Sequence, residues 1–188
     1  MTERRTFVIV DGENIDATLG NSLLGRRPTP EERPRWERVT TYAERLWGQP
    51  TQGLFFLNAS SGQLHTPFVQ ALLAMGYRPV PLSGGHDVKV VDVGIQRTLE
   101  AIAQRGDDDP VDVLLCSHDG DFAPQAGALL DAGHRVGLLG LREFMSTALT
   151  GLGLEVHDLE DDVAAFLSPL PRVRIIPLEE FDPAYFLR

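Results

Sequence analysis

Residues 6–14 read TFVIVDGEN, and the reading of the fold starts from this stretch. The run 6–10 is β-branched and aromatic without the alternation of a half-exposed strand, which fits a strand covered on both faces. Asp11 then ends it at once. Similar runs recur at residues 53–57 (GLFFL), 78–82 (RPVPL), 111–116 (VDVLLC) and 135–139 (RVGLL), with a weaker one at 154–157 (LEVH). Helical patterns fill the intervals. Residues 66–75 open with Thr66 as a cap and Pro67 in the first turn, and Gly76 follows as a stop. Residues 90–104 repeat apolar side chains at helical spacing, and further helices are expected at about 35–47, at 122–132 and at 142–149. Strands separated by helices of this length imply βαβ units. The expected fold is α/β: a three-layer sandwich around a central, mainly parallel sheet.

The 188 residues suit one domain over 1–167, long enough for a sizeable core. Two segments break the rhythm. Residues 19–34 (LGNSLLGRRPTPEERP) are too long and too rich in Gly and Pro for a plain strand-to-helix loop, and are expected to form an insertion. The tail, 168–188, carries an apolar run at 173–177 and then Phe181, Tyr185 and Phe186. A free tail would leave these wet, so docking on the domain or on a second subunit, as in a homodimer, is expected.

Composition narrows the class. Hydrophobic residues at 43% and charged residues at 23% exclude wholesale disorder. No apolar run reaches the roughly 20 residues that span a bilayer. The first strand meets a carboxylate too early for a signal peptide. A single cysteine, Cys116, excludes an internal disulfide framework and a Cys-rich zinc site. A soluble, cytoplasmic protein is expected.

The formal charge of −10 is unevenly placed. Residues 1–50 hold eight Arg and eight Asp/Glu; residues 51–188 hold nine basic and nineteen acidic residues, and so carry the whole excess. A broad electrostatic face for nucleic acid would be basic. Contact with a polyanion must therefore be local, or cations must neutralise an acidic site. Sixteen of the seventeen basic residues are Arg, and Lys89 is the one lysine.

The carboxylates show where such a site would lie. Asp11 ends the first strand, Asp119 and Asp121 follow the fourth (LLCSHDGD), and Asp92 opens a helix (KVVDVG). Ligands of open parallel sheets bind beyond the carboxyl ends of strands, where connections diverge. Were the first and fourth strands neighbours, Asp11, Asp119 and Asp121 would meet there, with Asp92 approaching from its helix. Each aspartate alone has an ordinary explanation: Asp121 as a helix cap, Asp92 as a complement to a helix dipole. Convergence is what makes them a site. Carboxylates at short range raise one another's pKa, and a divalent cation relieves the repulsion. Mg²⁺ and Mn²⁺ both suit an oxygen-only set, and such ions can activate water against a phosphodiester.

The remaining candidates are weaker. The run 107–109 and the acids of 158–162 (other than Leu159) read as solvated, the latter at a helix start. His118 stands beside the aspartates as a loop residue within reach of a metal or phosphate. Cys116 has no partner for nucleophilic chemistry and reads as structural. Lys89, three residues before Asp92, supplies a compact charge suited to a scissile phosphate. There is no GxGxxG after the first strand, no GxxxxGK[ST] and no GxSxG. Asp11-Gly12-Glu13 lacks the second Asp usual in aspartyl-phosphate phosphatases.

VIVDGENI (8–15), KVVDVGI (89–95) and SHDGDF (117–122) resemble, in order and spacing, the three motifs of the NYN family of PIN-like nucleases, over about residues 6–157. The resemblance implies a PIN-like strand order of 3-2-1-4-5 and Asp11, Asp92, Asp119 and Asp121 as metal-binding acids. It makes Asn14 and Ser117 orienting residues, while His118 departs from the small residue usual in the family. The expectation is a Mg²⁺- or Mn²⁺-dependent ribonuclease that cleaves RNA, most simply single-stranded, with metal-activated water. Lys89, Arg26 and Arg27 are its candidate phosphate contacts. Rival readings are a non-catalytic RNA- or protein-binding adaptor on the same fold, and a phosphatase or nucleotide hydrolase acting on a small substrate.

Overall fold

A computed structural model describes residues 3–105, 109–172 and 176–187. In chain order the elements are β1 (Arg5–Asp11), α1 (Gly12–Thr18), α2 (Trp36–Trp47), β2 (Thr51–Asn58), α3 (Thr66–Ala74), β3 (Arg78–Leu82), α4 (Val90–Ala103), β4 (Val111–Cys116), α5 (Ala123–Asp131), β5 (Val136–Gly140), α6 (Thr147–Thr150), β6 (Glu155–Asp158) and α7 (Pro183–Phe186). The six strands form one sheet in the order β3-β2-β1-β4-β5-β6, and every pairing is parallel. This is the expected α/β sandwich, with β1 and β4 side by side.

Alternation along the strands makes the three layers. Phe7 and Ile9 of β1 face a core with Val91, Ile95 and Leu99 of α4 and Leu129 of α5. Val8 and Val10 face the opposite core, with Ile15, Val39 and Leu72 from α1, α2 and α3. Both sets are almost fully buried, and each such aliphatic side chain contributes about 1.5–3 kcal/mol of burial free energy. Register then fixes the site. Val10 pairs with Cys116, so Asp11 and Ser117 leave the sheet at the same level.

Several local expectations are revised. The sequence reading has no helix directly after β1, yet α1 starts at Gly12, where a Cβ would stand 2.6 Å from the Phe55 ring. A π-helical segment, Leu19–Leu24, continues it and buries Leu19 and Gly20. The insertion is therefore partly helical and anchored. A short 3₁₀ turn, Pro30–Glu32, follows, and Arg33 Nε donates to Asp16 Oδ2 at 2.8 Å. The single helix expected at 142–149 is broken into a 3₁₀ turn, Arg142–Phe144, and α6. Ser146 N donates to the His118 carbonyl at 3.2 Å, and the Ser146 side chain caps α6, which holds the intervening backbone extended.

The acids at 158–162 start a turn rather than a helix, and only Asp161 and Asp162 are exposed as expected. Asp158 is 2% exposed and accepts at 2.8–2.9 Å from the backbone N–H groups of Glu160 and Asp161, in the turn after β6, and of Arg142, after β5. Of the run 107–109, Asp107 and Asp108 lie outside the described residues. Asp109 is paired with Arg5 and Arg105.

In the tail, Leu170 packs against the second core, and Arg172 bonds to Glu143 and Glu160. Residues 173–175 of the expected apolar run lie outside the described residues. Leu178, Phe181, Tyr185, Phe186 and Leu187 are exposed, with rings 181, 185 and 186 clustered on one another. Among the described residues no helix is long and apolar enough to cross a membrane.

Candidate active site

Asp11 is the last residue of β1 and the N-cap of α1, which is why a charged side chain is held at the edge of a buried strand. Its carboxylate is 2% exposed. Oδ1 accepts from the Asn14 backbone N–H at 3.3 Å, and Oδ2 accepts from the Ser117 hydroxyl at 2.9 Å. Ser117 Oγ in turn accepts from the Asp119 N–H at 3.2 Å, and Asp119 Oδ1 accepts from the Asp121 N–H at 2.9 Å. The Asn14 side-chain oxygen accepts from the His118 N–H at 2.8 Å. These bonds tie the loops after β1 and β4 together at the point where the chain connections diverge.

Burial pushes the Asp11 carboxyl up to about 6 from 3.8. The bonds from Ser117 and Asn14 oppose that rise, and the charges of Asp92 and Asp119 add to it. The same Asp92 charge, after burial, raises the Glu13 carboxyl, while the Asn58 backbone N–H lowers it. Asp11, Asp92 and Asp119 therefore share one electrostatic environment, and Glu13 belongs to it as well. Sequence reasoning treated Glu13 only as a departure from a phosphatase motif. An acid in the first turn of a helix that begins at Asp11 was the available signal.

The other expected residues are placed less uniformly. Lys89 lies with its ammonium 3.6 Å from Asp92 and is 77% exposed. Asp121 is exposed, and its charge is not among those acting on Asp11. Arg26, on the insertion, gives its guanidinium to Glu32 in a two-pronged bond at 2.6 and 2.8 Å, and Arg27 beside it is exposed.

His118 is turned inward. Its Nε2 accepts from the Leu141 N–H at 2.8 Å, so its proton sits on Nδ1, which donates to Thr18 Oγ1 at 3.0 Å. Burial lowers its pKa to about 4. Gly140 makes room for the ring, since a Cβ there would approach it to 2.8 Å. Both nitrogens serve the fold, which leaves neither for a metal or a phosphate. Cys116 is fully buried and burial raises its thiol, consistent with a structural residue.

The donor set is oxygen only, which fits Mg²⁺ or Mn²⁺ rather than a softer metal. Among the described residues, no three Asp, Glu, His or Cys side chains are gathered closely enough to enclose an ion unaided. Mg²⁺ does not need such a cage: it commonly binds through one or two carboxylates, with water and substrate phosphate completing the shell. The burial of Asp11, only partly offset by the bonds from Asn14 and Ser117, is the feature such a cation would relieve.

Comparison with known proteins places the chain in a family and finds structures of similar fold. Residues 5–157 match the NYN domain family. A solved structure of a protein of unknown function from Vibrio parahaemolyticus superposes with a TM-score of 0.64 at 19% identity, covering 85% of this chain and 94% of that one. The likeness shows that the two chains share a fold. No curated protein matches the sequence.

Proposed function

The chain belongs to the NYN domain family, a nuclease-like family, and from that membership we propose that it is a divalent-metal-dependent ribonuclease. The observation that carries the reading is the buried Asp11 carboxyl, bonded to Ser117 across the junction of β1 and β4 and lying in the field of Asp92 and Asp119. An acid in that setting is poorly stabilised unless a cation joins it.

Asp11, Asp92 and Asp119 would hold Mg²⁺ or Mn²⁺, with Asp121 on the outer rim. The ion supplies Lewis-acid stabilisation of phosphate charge and lowers the pKa of water. Asn14 and Ser117 act as positioning residues: the Asn14 backbone and the Ser117 hydroxyl fix the two oxygens of Asp11. Lys89, free to swing from Asp92, meets the incoming phosphate as a point charge. Arg27 is the better phosphate contact on the insertion, because Arg26 is held by Glu32.

Cleavage of single-stranded RNA with Mn²⁺, with Mg²⁺ and with chelator, for wild type and Asp119→Asn, tests the reading. Metal-dependent cleavage lost in the variant is expected. Equal cleavage by both proteins would overturn the metal mechanism. No cleavage by either would favour an adaptor, and the exposed apolar tail would be its place of attachment to a partner or a second copy.

A further inference from the structure

Beside α4 lies a cleft of about 370 Å³ that the carboxylate site does not use. Val80 and Leu82 of β3 form one wall, Val90 and Val93 of α4 the other, and Ser83 and Arg97 stand among its lining groups. It opens at the carboxyl edge of the sheet, because the loop 83–89 that leaves β3 contributes to it. Asp11 and Ser117 sit on the same edge. Val90, Val93, Gly94 and Arg97 share one face of α4 by their spacing. Asp92 stands about 100° round the helix from Val93, so the first turns of one helix separate the cleft from the carboxylates. Lys89 falls between the two: its ammonium is against Asp92, and its neighbours Val88 and Val90 line the cleft.

We propose that this cleft receives a nucleobase of a single-stranded RNA whose neighbouring phosphate lies at the Asp11, Asp92 and Asp119 carboxylates. The inference rests on the ribonuclease reading and deepens it. The volume is at the small end of ligand pockets, which run from roughly 300 to 1,000 Å³, and suits one nucleoside rather than a larger ligand. Its lining is mostly apolar, from Phe56, Val80, Leu82, Val88, Val90 and Val93, and offers an unstacked base a surface to lie against. Ser83 and Arg97 offer hydroxyl and guanidinium donors to the base's acceptor edge. Lys89 and Arg97 bring positive charge to the mouth of the cleft in a chain whose charge is −10, where a polyanion would otherwise be repelled. A base held here would also make the acidic protein's grip on RNA depend less on phosphate contacts than is usual for nucleases.

The test compares binding of two labelled decamers with equal phosphate counts, one of uridines and one of abasic tetrahydrofuran phosphates, to the full-length protein. Wild type is expected to bind the uridine strand about tenfold more tightly, the order of magnitude of one stacked base. Ser83→Trp, which fills the cleft from an exposed loop, is expected to bind both strands alike. Arg97→Gln, on the exposed face of α4, is expected to reduce the preference and serves if the first variant misfolds. A preference that survives both variants would overturn the assignment. So would equal binding of the two strands by wild type; if that protein still cleaves the uridine strand, the ribonuclease reading stands while the base subsite falls. Neither binding nor cleavage would remove both. A wild-type dimer that Ser83→Trp dissociates on size-exclusion chromatography would show that a second copy fills the cleft, and would also overturn it.

Discussion

The Ser117 hydroxyl donates to Asp11 Oδ2 at 2.9 Å across 106 positions of sequence, so one bond fastens the end of β1 to the end of β4. Ser117 Oγ itself accepts from the Asp119 N–H, which makes Ser117 the link between the acid after one strand and the acid after the other. Ser117→Ala would free an N–H and remove the strongest bond restraining the Asp11 pKa. Loss of about 1–3 kcal/mol of stability is expected from the unmade buried bonds. The pH at which cleavage reaches half its maximum should move up, and Ser117→Thr should restore it. Stability and pH–rate profiles of the two variants check this. An unchanged midpoint in the alanine variant would remove Ser117 from the site's electrostatics.

Asp11 gives a stability dependence whose sign is opposite to that of most paired acids. The folded chain holds its proton up to about pH 6, whereas an ordinary Asp releases it near 3.8. Between these values the folded state binds more protons, so this group's contribution to stability falls as pH rises. A bound cation competes with the same proton. Stabilisation by Mn²⁺ should therefore be small at pH 5 and grow through pH 6 to a plateau by about pH 8. Thermal melting with and without Mn²⁺ at the two pH values measures this. Equal shifts at both would mean that Asp11 is not a ligand.

His118 works the other way. Its folded-state pKa of about 4 lies below the ordinary 6.5, so the unfolded chain binds more protons between those values. Stability is complete above pH 6.5 and is lost as pH falls from there to 4. His157, also lowered by burial, adds in the same direction. His118→Gln should lower stability at neutral pH, since the Leu141 and Thr18 bonds are disturbed, yet flatten its decline in acid. Urea midpoints across that range distinguish this from a role at the reacting centre, for which metal-dependent cleavage, not the slope, would change most.

The sheet was legible in the sequence because both faces of its strands are buried, and that leaves mostly apolar runs such as 6–10 and 111–116. Its carboxyl edge was legible from chain order: Asp11 follows the apolar run directly and is itself followed by Gly12, whereas Asp112, inside the run of β4, is buried because Arg4, Gln49 and the Arg135 N–H bond to it. What stayed hidden depends on bonds between distant segments. His118 looks like a rim residue until Leu141 and Thr18 are seen to take both of its nitrogens. Asp158 looks solvated until two backbone donors of the turn after β6 and a third from Arg142, after β5, are folded around it. Arg26 looks available until Glu32, six residues on, engages it. Glu13 was overlooked because α1 begins so abruptly at Gly12, and only that start turns the acid toward the field of Asp92.

Asp119 and Asp121 stand two residues apart, but their surroundings are unlike. Asp119 is half-buried, caps the turn Gly120–Phe122 and contributes to the field that raises Asp11. Asp121 is exposed, and its backbone, rather than its carboxylate, makes the bond to Asp119. Asp119→Asn keeps a capping oxygen and should leave the fold intact while removing a charge next to Asp11. That loss should lower the Asp11 pKa, because a repelling carboxylate is gone, and should reduce metal-dependent cleavage by about a hundredfold or more, as expected when a supporting ligand of a catalytic ion is lost. Asp121→Asn should cost less than about tenfold, since solvent screens its charge and its effect on Asp11 is weak. Cleavage rates for both variants over a Mn²⁺ titration separate affinity from turnover. If Asp121→Asn proves as inactive as Asp119→Asn at saturating Mn²⁺, the exposed acid must turn inward on loading, and it then ranks as an inner ligand.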